Sequence, residues 1–126
     1  MELRIARHTR HLDEIIIFYG AILGLDLLGS FQGHDGYDGI FMGKEELGWH
    51  LEFTRSAEAP VHHSDEDDLL VFYPPTLAQY NAIVGRLESN KTIELVPRNP
   101  YWRVNGRLFK DPDGFGVIIS PLRCTA

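Results

Sequence analysis

Cysteine is nearly missing from this sequence: the one example, Cys124, stands close to the end of the 126-residue chain. An internal disulfide is thereby excluded, and a free thiol in a reducing compartment is expected. An excess of cations is missing too. Lys and Arg number 12 against 18 Asp and Glu, a formal net charge of −6. With no basic stripe interleaved with aromatics to offset that charge, nucleic acid is not expected as a partner. Met1 is followed at once by charged residues, and no apolar run reaches the length of a signal peptide or a membrane span. A soluble, cytoplasmic protein without a membrane partner is therefore expected. No serine sits in a nucleophile-elbow sequence and no glycine-rich phosphate loop is present, so no residue is nominated for covalent catalysis.

What is present fits a single domain over residues 1–126, long enough to bury a core without metal or disulfide support. ELRIARHTR alternates apolar and polar residues as a half-buried strand does. Leu12, Ile15, Ile16, Tyr19, Ile22 and Leu23 then recur at helical steps, with Asp13 and Glu14 in the first turn and Gly24 as a left-handed cap. GHDGYDG and GKEELG divide residues 25–55 into three strands, and the acidic stretch SAEAPVHHSDEDD marks a seam. DLLVFY reads as a strand buried on both faces. A second helix follows, with Thr76 and Gln79 as a capping box and Leu77, Tyr80, Ile83, Val84 and Leu87 along one side. TIELV, WRVNGRLF and FGVIISPL read as three further strands, the last two separated by a DPDG reversal in which Gly114 takes positive φ. The order strand, helix, three strands thus occurs twice, in module one at about 1–56 and module two at about 67–122. The expected class is α+β, each module a four-stranded sheet with a helix on one face, the two sheets curving around a cleft that suits a small molecule.

Four stretches in this order, HLDEIIIFYGAILGLDLL, WHLEFT, LLVFY and NPYW with FKDPDGFGVII, resemble the vicinal oxygen chelate superfamily over nearly the whole chain. That superfamily holds the glyoxalases, bleomycin-resistance proteins and extradiol dioxygenases. The resemblance implies paired βαβββ modules forming a curved, incomplete-barrel mixed sheet around a funnel, usually as a homodimer. Many members hold a divalent metal on strand residues that line the funnel. Carried over one by one, the metal positions fall at Arg4, at Glu52, at or beside Leu69, and at Ile118. Only Glu52 keeps a donor; a guanidinium repels a cation, and leucine and isoleucine coordinate nothing. No metal and no other cofactor is therefore expected, and the resemblance is nearest to a metal-free, bleomycin-resistance-like branch.

The expected ligand-binding residues are Arg4, His50, Glu52, Tyr73, Tyr101 and Trp102, with Arg4 and Glu52 joined as an ion pair. Trp49 and Phe53 have the opposite strand parity to Glu52 and are assigned to the helix-facing core. Tyr37 is read as an ordinary hairpin residue or, alternatively, as a loop aromatic that closes over the cleft, and His62 and His63 as surface residues. The function expected is sequestration of a small antibiotic-like, cationic or aromatic ligand. The alternative is a glyoxalase-like lyase or isomerase acting through Glu52 as base or through a displaced metal site of His8, His50 and Glu52.

Overall fold

The computed structural model describes all residues, 1–126, as two units, Met1–His62 and His63–Ala126, each built on its own four-stranded sheet. The first unit runs β1 (Leu3–His8), α1 (Leu12–Ile16), β2 (Asp26–His34), β3 (Tyr37–Gly43) and β4 (Trp49–Arg55). Its strand order is β1-β4-β3-β2, with β1 parallel to β4 and the other pairs antiparallel. The helix does not stop at α1 but widens over Ile17–Ile22, where the Leu23 N–H reaches back five residues to the Phe18 carbonyl at 3.0 Å. That widening corrects the expected core face: Phe18 is buried while Ile16 is only half-buried. Leu12, Ile15, Tyr19, Ile22 and Leu23 are buried as expected, as are Ile40, Met42, Leu51 and Phe53 of the sheet. The Tyr19 and Phe53 rings meet at 5.1 Å, which fixes the face of β4 that the helix covers. Each such side chain contributes roughly 1.5–3 kcal/mol on burial. Trp49 shares that parity but stays half-buried near the sheet's end. Gly24 ends the helix at φ +90°, where a side chain would be strained.

The second unit runs β5 (Leu69–Phe72), α2 (Leu77–Ser89), β6 (Glu94–Leu95), α3 (Pro100–Asn105), β7 (Arg107–Lys110) and β8 (Gly116–Ile119), with strand order β5-β8-β7-β6. Thr76 caps α2 by accepting from the Gln79 N–H at 3.1 Å, and the Gln79 side chain accepts in turn from the Thr76 hydroxyl at 3.0 Å. Val84 and Leu87 are the residues of α2 that become fully buried. Two strand expectations are corrected. β5 is an edge strand paired only to β8, so all four of its residues stay half-buried rather than buried on both faces. Of WRVNGRLF only Arg107, Leu108 and Phe109 are strand; Trp102 to Asn105 belong to α3, started by Asn99, whose side chain accepts from the Tyr101 N–H at 3.0 Å, and by Pro100 at the first helical position. The DPDG reversal forms as expected, with Gly114 at φ +88° and the buried Asp111 carboxylate accepting from the N–H groups of Asp113 and Phe115 at 2.9 and 3.0 Å.

Candidate functional site

Alternation along the strands sends one set of side chains in the first unit to the helix and the other to the opposite, open face. In the parallel pairing Arg4 lies opposite His50, Ala6 opposite Glu52 and His8 opposite Thr54, while Phe41 of β3 lies opposite Glu52. Arg4, His50, Glu52 and Phe41 therefore meet on the open face, three of them as the sequence expects. Phe41 was missed there, although its parity is opposite to that of the core residues Ile40 and Met42. The Arg4 guanidinium stands over the Phe41 ring at 4.8 Å, and the His50 ring meets Phe41 edge-on at 6.0 Å. Phe31 of β2, also missed, extends this floor at 5.9 Å from Phe41. Its ring lies across Gly39, where an added Cβ would come within 2.3 Å of the ring tip.

Hydrogen-bond directions fix the protonation pattern. Arg4 donates its Nε–H to His50 Nε2 at 2.9 Å, so that nitrogen is the acceptor and the imidazole proton sits on Nδ1, which faces the Glu2 carboxylate at 3.4 Å. The expected Arg4–Glu52 pair forms only as a long contact of 3.9 Å, between a guanidinium 53% exposed and a carboxylate 16% exposed. With His50 neutral, Glu2 and Glu52 outweigh Arg4, and the patch is mildly negative. The displaced His8, His50, Glu52 site is not assembled. His8 lies four residues along the strand from Arg4; its Nε2–H donates to the Glu58 carbonyl at 3.0 Å and its Nδ1 accepts from the Thr54 hydroxyl at 2.8 Å. No group of three or more His, Cys, Asp or Glu side chains is placed to hold a metal ion. The metal implied by the resemblance does not fit the donor set either: Arg4 bonds a histidine, and Ile118 is fully buried with no donor atom.

The remaining expected residues lie in the second unit. Tyr73 follows β5, and its ring face is taken by the Arg123 guanidinium at 4.1 Å. Tyr101 and Trp102 stand on α3 and pack edge to face at 4.8 Å, Tyr101 52% exposed and Trp102 half-buried near Gly106. Tyr37 is the first residue of β3, at the closed end of the β2–β3 hairpin as an ordinary hairpin residue would be, and its ring meets that of His8 at 5.6 Å. His62 is not a bare surface residue; it donates from Nε2 to the His8 carbonyl at 2.7 Å and ties the outgoing chain to β1.

Two family models match the chain, the YycE-like N-terminal domain over residues 3–54 and the YycE-like C-terminal domain over residues 67–120. A curated protein of Bacillus subtilis strain 168, the uncharacterised YycE, is 42% identical over 120 residues, covering 93% of this chain and 85% of its own. A 2.0 Å crystal structure of YycE from Bacillus subtilis, described as of unknown function and grouped with glyoxalase and fosfomycin-resistance proteins, superposes with a TM-score of 0.84 at 40% identity, covering 99% of this chain and 90% of that one. The trypanothione-dependent glyoxalase I of Leishmania major shares the fold at a TM-score of 0.72 and 18% identity, over 95% of this chain and 85% of the other.

Proposed function

The chain belongs to the YycE-like family within the vicinal oxygen chelate superfamily, and from that premise we propose that it binds and sequesters a small planar aromatic or cationic molecule on the open face of its first sheet. The observation that carries this reading is the cluster of Arg4, His50 and Glu52 above the Phe31 and Phe41 rings. The aromatic floor supplies stacking area, and the excess of carboxylate over guanidinium favours a positive group. Tyr73, Tyr101 and Trp102 belong to the second unit, and we propose them as ligand contacts of that unit in their own right, with Tyr101 the most exposed of the three rings. A chain with one free thiol suits the reducing cytoplasm in which we place it.

Glu52 supports the second reading, a lyase or isomerase with this carboxylate as base, because it is 16% exposed and its one ion-pair contact is long. A thermal-shift screen of aromatic and cationic compounds, followed by calorimetry on the hits, tests both. Binding that survives Glu52→Gln without chemical change of the compound supports sequestration. Turnover lost in that variant supports catalysis, and absence of any stabilising compound removes both. We further propose a homodimer, for which the exposed Leu3 and Ile5 of β1, 56% and 42% accessible, supply apolar surface. Light scattering that gives a monomer mass across micromolar concentrations would remove that part.

A further inference from the structure

Arg98 lies just past β6, and the acidic run Asp65–Asp68 leads into β5, so the two come from opposite edges of the second sheet. One guanidinium clasps them together: NH1 meets Glu66 Oε2 at 3.3 Å, Nε and NH2 meet Asp67 Oδ2 at 3.0 and 2.7 Å, and NH2 also bonds Asp65. Beside this clasp lies a cavity of about 340 Å³, with Leu95, Val96 and Leu108 as its apolar lining. Asp65, Glu66 and Arg98 line it on the clasp side, where the three carboxylates of Asp65, Glu66 and the neighbouring Asp67 share the one guanidinium and leave negative charge in excess. Lys110 also lines it, and its ammonium takes part in no ion pair. Every lining residue belongs to His63–Ala126, so the cavity uses none of the side chains of the first sheet.

We propose that this cavity binds a small zwitterion with an apolar side chain, of the amino-acid class. The ammonium group faces Asp65 and Glu66, the carboxylate pairs with Lys110, and the side chain covers Leu95, Val96 and Leu108. A plain anion would meet the surplus carboxylates, and a plain cation would leave Lys110 uncompensated; a zwitterion answers both signs at once. The volume lies at the lower end of the roughly 300–1,000 Å³ span of small-molecule sites, which suits a single amino acid better than a peptide.

The test is a nuclear magnetic resonance titration of the whole chain with L-phenylalanine, 2-phenylethylamine and 3-phenylpropanoate, which share a ring and differ in their charges. Phenylalanine is expected to shift the amide signals of Leu95, Val96, Lys110 and Gly116 and to bind several-fold more tightly than either analogue, by about fivefold at the upper end for solvent-exposed pairs. Lys110→Gln, an exposed position where the substitution leaves the fold alone, should bring phenylalanine down to the level of the amine. The proposal is overturned if phenylalanine binds no better than the amine or the carboxylate, if the shifts map to Arg4 and Glu52 instead, or if Lys110→Gln leaves the preference unchanged.

Discussion

At the scale of single residues, a guanidinium needs somewhere to put its hydrogen bonds, and Arg4 spends its Nε–H on His50 rather than on Glu52. The remaining 3.9 Å contact with Glu52 is solvated on the Arg4 side, so the pair contributes little to stability. Arg4→Ala should therefore change the unfolding free energy by less than about 1 kcal/mol in a urea titration; a loss of several kcal/mol would mean a buried pair. The same variant bares the ring of Phe41, now covered at 4.8 Å, and should alter the binding of planar compounds more than it alters stability. Gly39 carries a second prediction. Its missing Cβ is what lets Phe31 lie across β3, so Gly39→Ala must tilt that ring at a cost of about 1–3 kcal/mol. Ring-current shifts of the Phe41 protons would report whether the two rings have parted. Arg4 and Glu52 were legible through the family resemblance, which gives both places to ligands, and His50 through its shared parity with Glu52 on β4; the register that brings β1 beside β4 was not. The Phe31–Gly39 contact was not, because β2 slips register against β3 on both sides of that pair, and no alternation pattern survives an irregular ladder.

At the scale of elements, the doubled order of strand, helix and three strands was legible because it is written in periodicity and punctuation, and these decide local structure. The parts that were not legible are those where local signals compete. WRV is rich in strand-favouring residues, yet Asn99 and Pro100 just before it supply a cap and a first helical residue, and those won over three positions of propensity. Removing the cap tests that account. Asn99→Ala should cost about 1 kcal/mol and loosen the Tyr101–Trp102 contact, seen as a shift in tryptophan fluorescence; an unchanged spectrum would mean that packing around Trp102 holds α3 without its cap. The widened second half of the first helix is a further case. Helical periodicity of 3.6 placed Ile16 inward, and only the five-residue hydrogen bond that turns Phe18 to the core shows why that reading fails. For β5, an apolar run could not reveal that its strand lies at a sheet edge, since edge position depends on which strand it pairs with.

At the scale of the whole molecule, the acidic composition is held by a few arginines that each serve more than one partner or join separate strands. Arg55 bonds Asp38 at 2.9 Å, and this bond, helped by the Gly33 N–H, holds the Asp38 carboxyl below its ordinary value. Asp65 is lowered first by the Asp67 N–H and then by Arg98. Glu94 is lowered by its two bonds from Arg107, at 2.8 and 2.7 Å. All three shifts have the same sign. A carboxyl whose folded value lies below its unfolded value stabilises the fold above the unfolded value, near 4, and loses that contribution as pH falls through the folded one. Stability should therefore be flat in this respect from neutral pH down to about 5 and should fall progressively below about 4. Glu94 is 42% exposed, so its share is under about 1 kcal/mol and shrinks in salt. Arg107→Ala removes the group that lowers Glu94, and also frees Glu88, which Arg107 bonds at 2.9 Å. Urea midpoints measured between pH 3 and pH 7 should then show a lower plateau and a shallower acid limb than the unsubstituted chain. An acid limb of unchanged slope in that variant would show that the loss of stability in acid arises at the other carboxylates and not at the strand pair that Arg107 joins.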